Sequence, residues 1–266
     1  MTTFADFSTA YLRIKEMEGV VSLERSRFAL ARLTAHFGTL DLADMTPGSV
    51  HIYRRARLEA GVTPATVNRE CAVLSNLFAV AIEERVAEKN PVARVKPLPM
   101  YSRRDRVLTP AEMDRLLATM SHPLHSMTIL GYETGMRAGE ILSLRWQWID
   151  DDDEVIRLPD GATKSRRGRL VPLHGRAWKL LSALPRTGPT VFSGWRHYNN
   201  GWVRACRRAG VEDAHFHDLR HTFVTRLRKG GIHHSVIMAI TGHASPSMFL
   251  TYNSVDIQEI RAAVAT

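Results

Sequence analysis

Cysteine is scarce. Cys71 and Cys206 are the only two in 266 residues, and they lie far apart. That argues against a disulfide framework and makes a reducing cytosol the natural compartment. No stretch approaches the ~18 consecutive apolar residues of a membrane span. The opening, MTTFADFSTAYLRIKEMEG, lacks the basic lead and apolar run of a secretory signal. No repeat or low-complexity segment stands out. With these excluded, ordinary features remain: 44% hydrophobic and 24% charged residues, enough for buried cores without covalent staples. The length fits two domains better than one. Acidic residues are outnumbered, 27 against 36 Lys and Arg, for a formal net charge of +9. An excess of this size favours polyanions, because each neutralised phosphate releases counterions. Arginines concentrate at 94–106, 164–169, 204–208 and 220–228.

The first ninety residues read as four helices. Phe4, Phe7, Tyr11 and Ile14 share one helical face. Ser22 caps a second helix carrying Leu30, Leu33 and Phe37. Thr46-Pro47 opens a third, to about Ala60, and Thr63-Pro64 a fourth with Val67, Cys71, Leu74, Phe78 and Ala81 as its stripe. Periodicity breaks over 90–110, which holds four prolines and the basic residues Arg94, Lys96, Arg103, Arg104 and Arg106. This reads as a linker. The expected division is therefore 1–92 helical domain, 93–107 basic linker and 108–266 second domain.

The second half is mixed. Thr109-Pro-Ala-Glu starts a helix with a capping box. Helices are expected at 123–134, 138–144, 174–183, 195–209, 217–229, 233–241 and 246–263. Val155–Leu158 and Arg169–Leu173 read as two strands of a hairpin, and the acidic run Asp150–Glu154 as a solvated turn. Val191-Phe192 is a third strand or a loop. The fold class is mainly α with a small antiparallel β-sheet.

Chemistry concentrates in HFHDLRHTF, residues 215 to 223. His217 and His221 have the i, i+4 spacing of zinc pairs, but Arg220 lies on nearly the same face, and the Glu of an HExxH pair is missing. A fixed cation there suits a phosphate instead, since the planar guanidinium matches two phosphate oxygens. A solvated surface is the third reading of this run. A second arginine, Arg137 in TGMRAGEILSLRW, begins a helix, where backbone N–H groups also favour an anion, with Glu140 three residues on to orient it. Lys164 in ATKSRRGRLVPL is either a solvated turn residue or a proton donor to a leaving oxygen. In TGHASPSMFLTYNS, His243 occupies a tight corner and Tyr252 follows nine residues later. Each piece alone is weak.

In order, GMRAGE, TKSRRGRLVPL, HDLRH and TGH followed by a tyrosine resemble the tyrosine recombinase (phage integrase) family over about residues 105 to 260. The resemblance implies an N-terminal core-DNA-binding bundle, SAM-like, and an α+β catalytic domain. Because the chain opens almost directly on the bundle, a separate N-terminal arm-site-binding domain is not expected. Also implied is site-specific recombination or integration, in which DNA is cut and rejoined through a covalent 3′-phosphotyrosyl intermediate. Tyr252 is then the nucleophile, Arg137 and Arg220 with His243 bind the non-bridging oxygens, and His217 is the general base. Lys164 protonates the departing 5′-oxygen, and Glu140 supports Arg137. His215 and His221 take no catalytic part. No ATP, metal or other cofactor is expected.

The partners implied are a double-stranded DNA recombination site and a homo-tetramer on paired sites, with accessory or directionality proteins left open and no membrane. The linker cations Arg94, Lys96, Arg103, Arg104 and Arg106 are expected on DNA. In the tail, Val255, Ile260 and Val264 are expected to dock on a neighbouring protomer or on their own domain. The location expected is cytoplasmic, with the nucleoid when DNA is bound. Two alternatives stay open: a catalytically decayed DNA-binding protein of the same fold, and a type IB topoisomerase-like relaxing enzyme.

Overall fold

The computed structural model describes residues 2–20, 23–100, 104, 106–163, 167–195, 197–243 and 245. The chain divides into two compact units, Met1–Ser102 and Arg103–Thr266.

The first unit is all helical. Its elements are α1 (Phe4–Met17), α2 (Leu23–Phe37), α3 (Pro47–Glu59) and α4 (Pro64–Glu83). The threonine–proline pairs act as expected: Thr46 forms a capping box with Ser49, and the Thr63 side chain accepts from Thr66 N, each with proline in the first turn. The Ser22 cap lies outside the described residues. The apolar stripes converge into one core, with Phe4, Phe7, Leu33, Phe37, Val67, Leu74 and Phe78 all buried. One carboxylate is buried among them. Glu70 accepts from the Tyr53 hydroxyl at 2.7 Å and from Arg57 Nε and Nη2 at 3.0 and 2.7 Å, so its charge is paired where water is excluded.

This unit runs past residue 92. The Asn68 side chain donates to Leu98 O at 2.9 Å and accepts from Leu98 N at 2.8 Å, and Val92, Val95 and Leu98 pack on the bundle core. Three apolar side chains with a surface to cover shorten the linker expected over 93–107. Arg94 and Lys96, between them, are exposed.

The second unit is built on α5 (Pro110–Ala118), α6 (Leu124–Thr134), α7 (Ala138–Leu142), α8 (Arg176–Ala183), α9 (Asn199–Ala209), α10 (Asp218–Lys229) and α11 (His234–Thr241). Helix α6 is buried almost along its whole length, as an all-round apolar sequence requires, and it packs against α7, α8 and α10. The sheet has the order β1-β2-β3, antiparallel, from β1 (Ile149–Asp150), β2 (Val155–Leu158) and β3 (Arg169–Pro172). Register pairs Ile149 with Ile156 and Leu158 with Arg169. Ile156 and Leu158 face the core while Arg157 points out to Asp150. Two details differ from expectation. The third strand comes from Ile149-Asp150, where the acidic run reads as a turn, while Val191-Phe192 takes the loop alternative and lies in a turn with Phe192 buried. Helix α9 begins at Asn199 and not at 195.

Helix α11 packs on both α10 and β3. Its contacts bring the end of α11, the start of β3 and the middle of the second unit to one place. The helix expected over 246–263, with Val255, Ile260 and Val264, lies outside the described residues. Cys71 and Cys206 are both free and buried. Among the described residues, no helix is long and apolar enough to cross a membrane.

Candidate active site

The site begins where α6 stops. Gly135 caps that helix in the left-handed conformation, at φ 64°. A Cβ there would come within 2.5 Å of Phe223 Cδ1, so glycine is required twice over. The chain then turns directly into α7, with Arg137 at its N-cap and Glu140 at the third helical position. The Glu140 carboxylate accepts from Arg137 N at 2.9 Å and from Arg137 Nη1 at 3.0 Å. Glu140 thus caps its own helix and pairs with the arginine. Arg137 remains partly open to solvent, and its Nη2 approaches Gly242 O at 3.5 Å.

Arg220 comes from α10 and is the largest fully buried side chain among the described residues. Its Nη1 donates to Gly135 O at 2.9 Å, and its Nη2 meets His243 Nε2 at 3.0 Å. His243 stands just past α11, whose end Gly242 caps in the left-handed conformation, and it too is buried. Its Nδ1 lies 2.7 Å from Thr241 Oγ1, and that hydroxyl donates to Ile237 O at 2.6 Å. A hydroxyl has one proton. Spent on Ile237, it leaves Thr241 to accept from His243 Nδ1–H, and Nε2 to accept from Arg220. Burial first, then the charges of Arg220 and Arg137, push the His243 imidazole down to about 3. A neutral ring fits that hydrogen-bond pattern.

His217 sits at the N-cap of α10. It is exposed, yet the protein around it partly desolvates the ring, and Arg220 adds to this, so its pKa falls below the ordinary imidazole value. Arg137 and His221 push the same way and Asp218 opposes them. His217 is in turn among the charges that depress His243, so these groups share one electrostatic neighbourhood. His221 is buried on the same helix, and His215 is exposed, its backbone N–H donating to Asp218.

The structure adds two arginines to this neighbourhood. Arg169, at the start of β3, donates to both Glu140 oxygens, at 3.0 and 2.7 Å, and its Nε donates to Ile240 O at 2.7 Å. Its position before the LVPL run reads as strand, and nothing in one-residue-at-a-time reading separates it from its neighbours Arg166 and Arg167. Arg104 grips Asp218 with Nε and Nη2 at 2.8 and 2.7 Å and reaches Asp213 at 2.9 Å. Arg106 pairs with Glu112. The basic run leads one to expect both on DNA; carboxylates of the second unit already meet their charge. Lys164, Tyr252 and Arg103 lie outside the described residues. Among the described residues, no group of three or more His, Cys, Asp or Glu side chains is arranged to hold a metal ion.

Buried and half-buried cations held by main-chain carbonyls, one carboxylate and a neutral histidine have the chemistry to receive an oxyanion. Residues 106–259 match the phage integrase family. The chain belongs to the phage integrase family. The phage integrase N-terminal domain matches residues 16–99. That second match runs against the expectation of a chain without a separate N-terminal arm-site-binding domain, because the bundle itself answers to an N-terminal integrase domain. The shufflon-specific DNA recombinase of Escherichia coli is 36% identical over 229 residues, which is 80% of this chain and 58% of that protein. The chain thus spans less than two thirds of that relative's length. In fold, this family member is similar to a lambda integrase dimer bound to a COC′ core site, with TM-score 0.78 and 20% identity over 96% of this chain and 81% of the other. It is also similar to a lambda integrase tetramer bound to a Holliday junction, with TM-score 0.77 and 20% identity over 97% and 80%.

Proposed function

We propose that this chain is a site-specific DNA recombinase or integrase that cuts and rejoins DNA without metal or ATP. The observation that carries the reading is the frame joining Arg137, Glu140, Arg220 and His243 through Gly135 and Gly242. This frame supports a reading in which both guanidinium groups meet one phosphate. The phenolic oxygen of Tyr252 attacks the scissile phosphorus, and a Tyr–O–P bond forms as the P–O5′ bond breaks. The phenol proton goes to His217, whose lowered pKa keeps it a neutral base near pH 7. Lys164 gives a proton to the departing 5′-oxygen. Attack by a partner strand's 5′-hydroxyl reverses the step, so the bond energy is kept in the covalent intermediate.

Charge grows on the non-bridging oxygens, and fixed donors aimed there are typically the largest catalytic contribution. Arg137 and Arg220 supply them. His243 in the observed arrangement accepts from Arg220 and so orients it. To donate to phosphate itself, His243 must carry a proton on Nε2, either by a change of tautomer as the Thr241 hydroxyl turns or by gaining a proton, which negative charge building on the phosphate favours. The partners proposed are a double-stranded recombination site and three further copies of the chain, in keeping with a relative crystallised as a tetramer on a Holliday junction. The cytoplasm is the proposed location.

The test is a nicked duplex carrying whatever inverted repeat a search of the DNA flanking the coding region identifies. Wild-type protein is expected to leave a covalent protein–DNA band on a denaturing gel. Tyr252→Phe is expected to bind the duplex and leave no band. An undiminished band in that variant would remove Tyr252 as nucleophile, and binding with no adduct from the wild type would favour a decayed DNA-binding protein.

A further inference from the structure

Glu140 is shared between two arginines on unequal terms. Arg169 holds it with both terminal nitrogens, one on each oxygen, and its side chain is as deeply buried as the carboxylate. Arg137 reaches the same carboxylate with one terminal nitrogen and its backbone N–H. Four donors therefore converge on the two oxygens. An isolated Glu–Arg pair at this spacing would close into a bidentate fork and cancel its own charge. With Arg169 occupying one side of the carboxylate, two cations face one anion, and a net positive charge remains on the solvent side, where Arg137 stands. Burial alone pushes the Glu140 carboxyl up, but hydrogen bonds and charge from Arg169, followed by those from Arg137, bring it below its ordinary value. Glu140 is thus a carboxylate whenever the site is assembled at neutral pH.

Arg169 has a third attachment. Its Nε donates to Ile240 O in the last turn of α11, two residues before the glycine that sets His243. A Cβ on Gly242 would stand 3.1 Å from Arg169 Cδ and 3.2 Å from its Nη1, so this glycine also makes room for the arginine. One side chain at the head of β3 therefore ties α7, which starts with Arg137, to the end of α11, which carries His243.

We propose that Arg169 is a positioning residue that holds Glu140 away from full pairing with Arg137 and so keeps Arg137 available to the scissile phosphate. This rests on the recombinase reading above and extends it to a side chain outside the proposed catalytic set. Removing Arg169 lets Glu140 close on Arg137 and draw it off the phosphate. Removing the Glu140 charge in the same molecule undoes that capture. Loss of structure alone would make the two substitutions additive or worse.

The experiment compares wild type, Arg169→Met, Glu140→Gln and the double variant, with thermal melting to establish that each is folded. Single-turnover adduct formation on the nicked duplex and duplex affinity are read separately. Arg169→Met is expected to slow adduct formation about 100-fold, the size of one lost transition-state donor, with affinity changed less than about threefold. The double variant is expected to recover about tenfold of that loss. A folded Arg169→Met that cuts at the wild-type rate, or a folded double variant no faster than it, overturns the proposal. Should Arg169→Met fail to fold, Arg169→Lys with and without Glu140→Gln replaces it, since lysine keeps the charge but cannot fork. Affinity for inorganic phosphate, followed by its ³¹P resonance, gives a reading independent of strand cleavage. It should fall in Arg169→Met and return in the double variant. If wild type makes no Tyr252-dependent adduct, the recombinase reading fails by itself, and the phosphate series alone decides the role of Arg169.

Discussion

The Thr241 hydroxyl decides where the proton of His243 sits. It is committed to Ile237 O, so the imidazole must donate from Nδ1 and can accept only at Nε2. The folded protein therefore holds this ring neutral, pushed from 6.5 down to about 3 by burial and the nearby guanidiniums. His217 moves in the same direction. The unfolded chain takes up protons that the fold refuses, so stability is full above the ordinary imidazole value and falls as pH drops through it. Glu140, whose folded pKa is lowered, adds its loss only further down, below the ordinary carboxylate range. Between about pH 7 and about pH 5 the imidazoles should dominate. The urea midpoint is expected to fall across that window in the wild type and to fall less in His243→Gln. A wild-type midpoint that stays level there would contradict the neutral ring.

At the scale of elements, the end of α6 is the joint on which the site turns. Gly135 and Gly210 both cap helices at similar positive φ, 64° and 60°, but only Gly135 has a neighbour within reach of a Cβ. Gly135→Ala and Gly210→Ala share the backbone cost of roughly 1 kcal/mol. Gly135→Ala adds the overlap with Phe223, typically about 1–3 kcal/mol more, and shifts the carbonyl that Arg220 uses. Equal losses in denaturant unfolding would show that the ring gives way without cost.

Most elements are legible because their signals are local: Thr46-Pro47, Thr63-Pro64 and the Thr109 box name their own helix starts. Strand β1 is not. Two residues long, it borrows Asp150 from an acidic run that looks like a turn, and only pairing with Val155 makes it a strand. The same limit hides Arg169. Arg137, Glu140 and Arg220 stand in motifs that carry their own context, whereas Arg169 gains its part from Glu140 and Ile240, 29 and 71 residues away. Arg104 shows the converse: its place in a basic run reads as a DNA contact, and its ion pair with Asp218, 114 residues away, is not legible there.

For the whole molecule, the net charge of +9 sets the expectation for binding. Duplex affinity should weaken at least about 100-fold between about 50 and 200 mM salt, as for proteins with several phosphate contacts. Arg94→Ala and Lys96→Ala, at exposed cations, should flatten that slope. Arg104→Ala should leave it nearly unchanged and lower stability instead, because it strands the buried carboxylate of Asp218. A salt response that is flat in the wild type would argue against a polyanion partner.

Arg220 carries a consequence for descent. Beside the catalytic part proposed for it, it is an interior strut, bridging the carbonyl that ends one helix and the ring that follows another. A lineage that stopped cutting DNA would still need it to stay folded. Its survival in any descendant therefore says little about whether the chemistry survives. Lys164 and Tyr252 are the positions to watch, since a purely architectural protein has no reason to keep them.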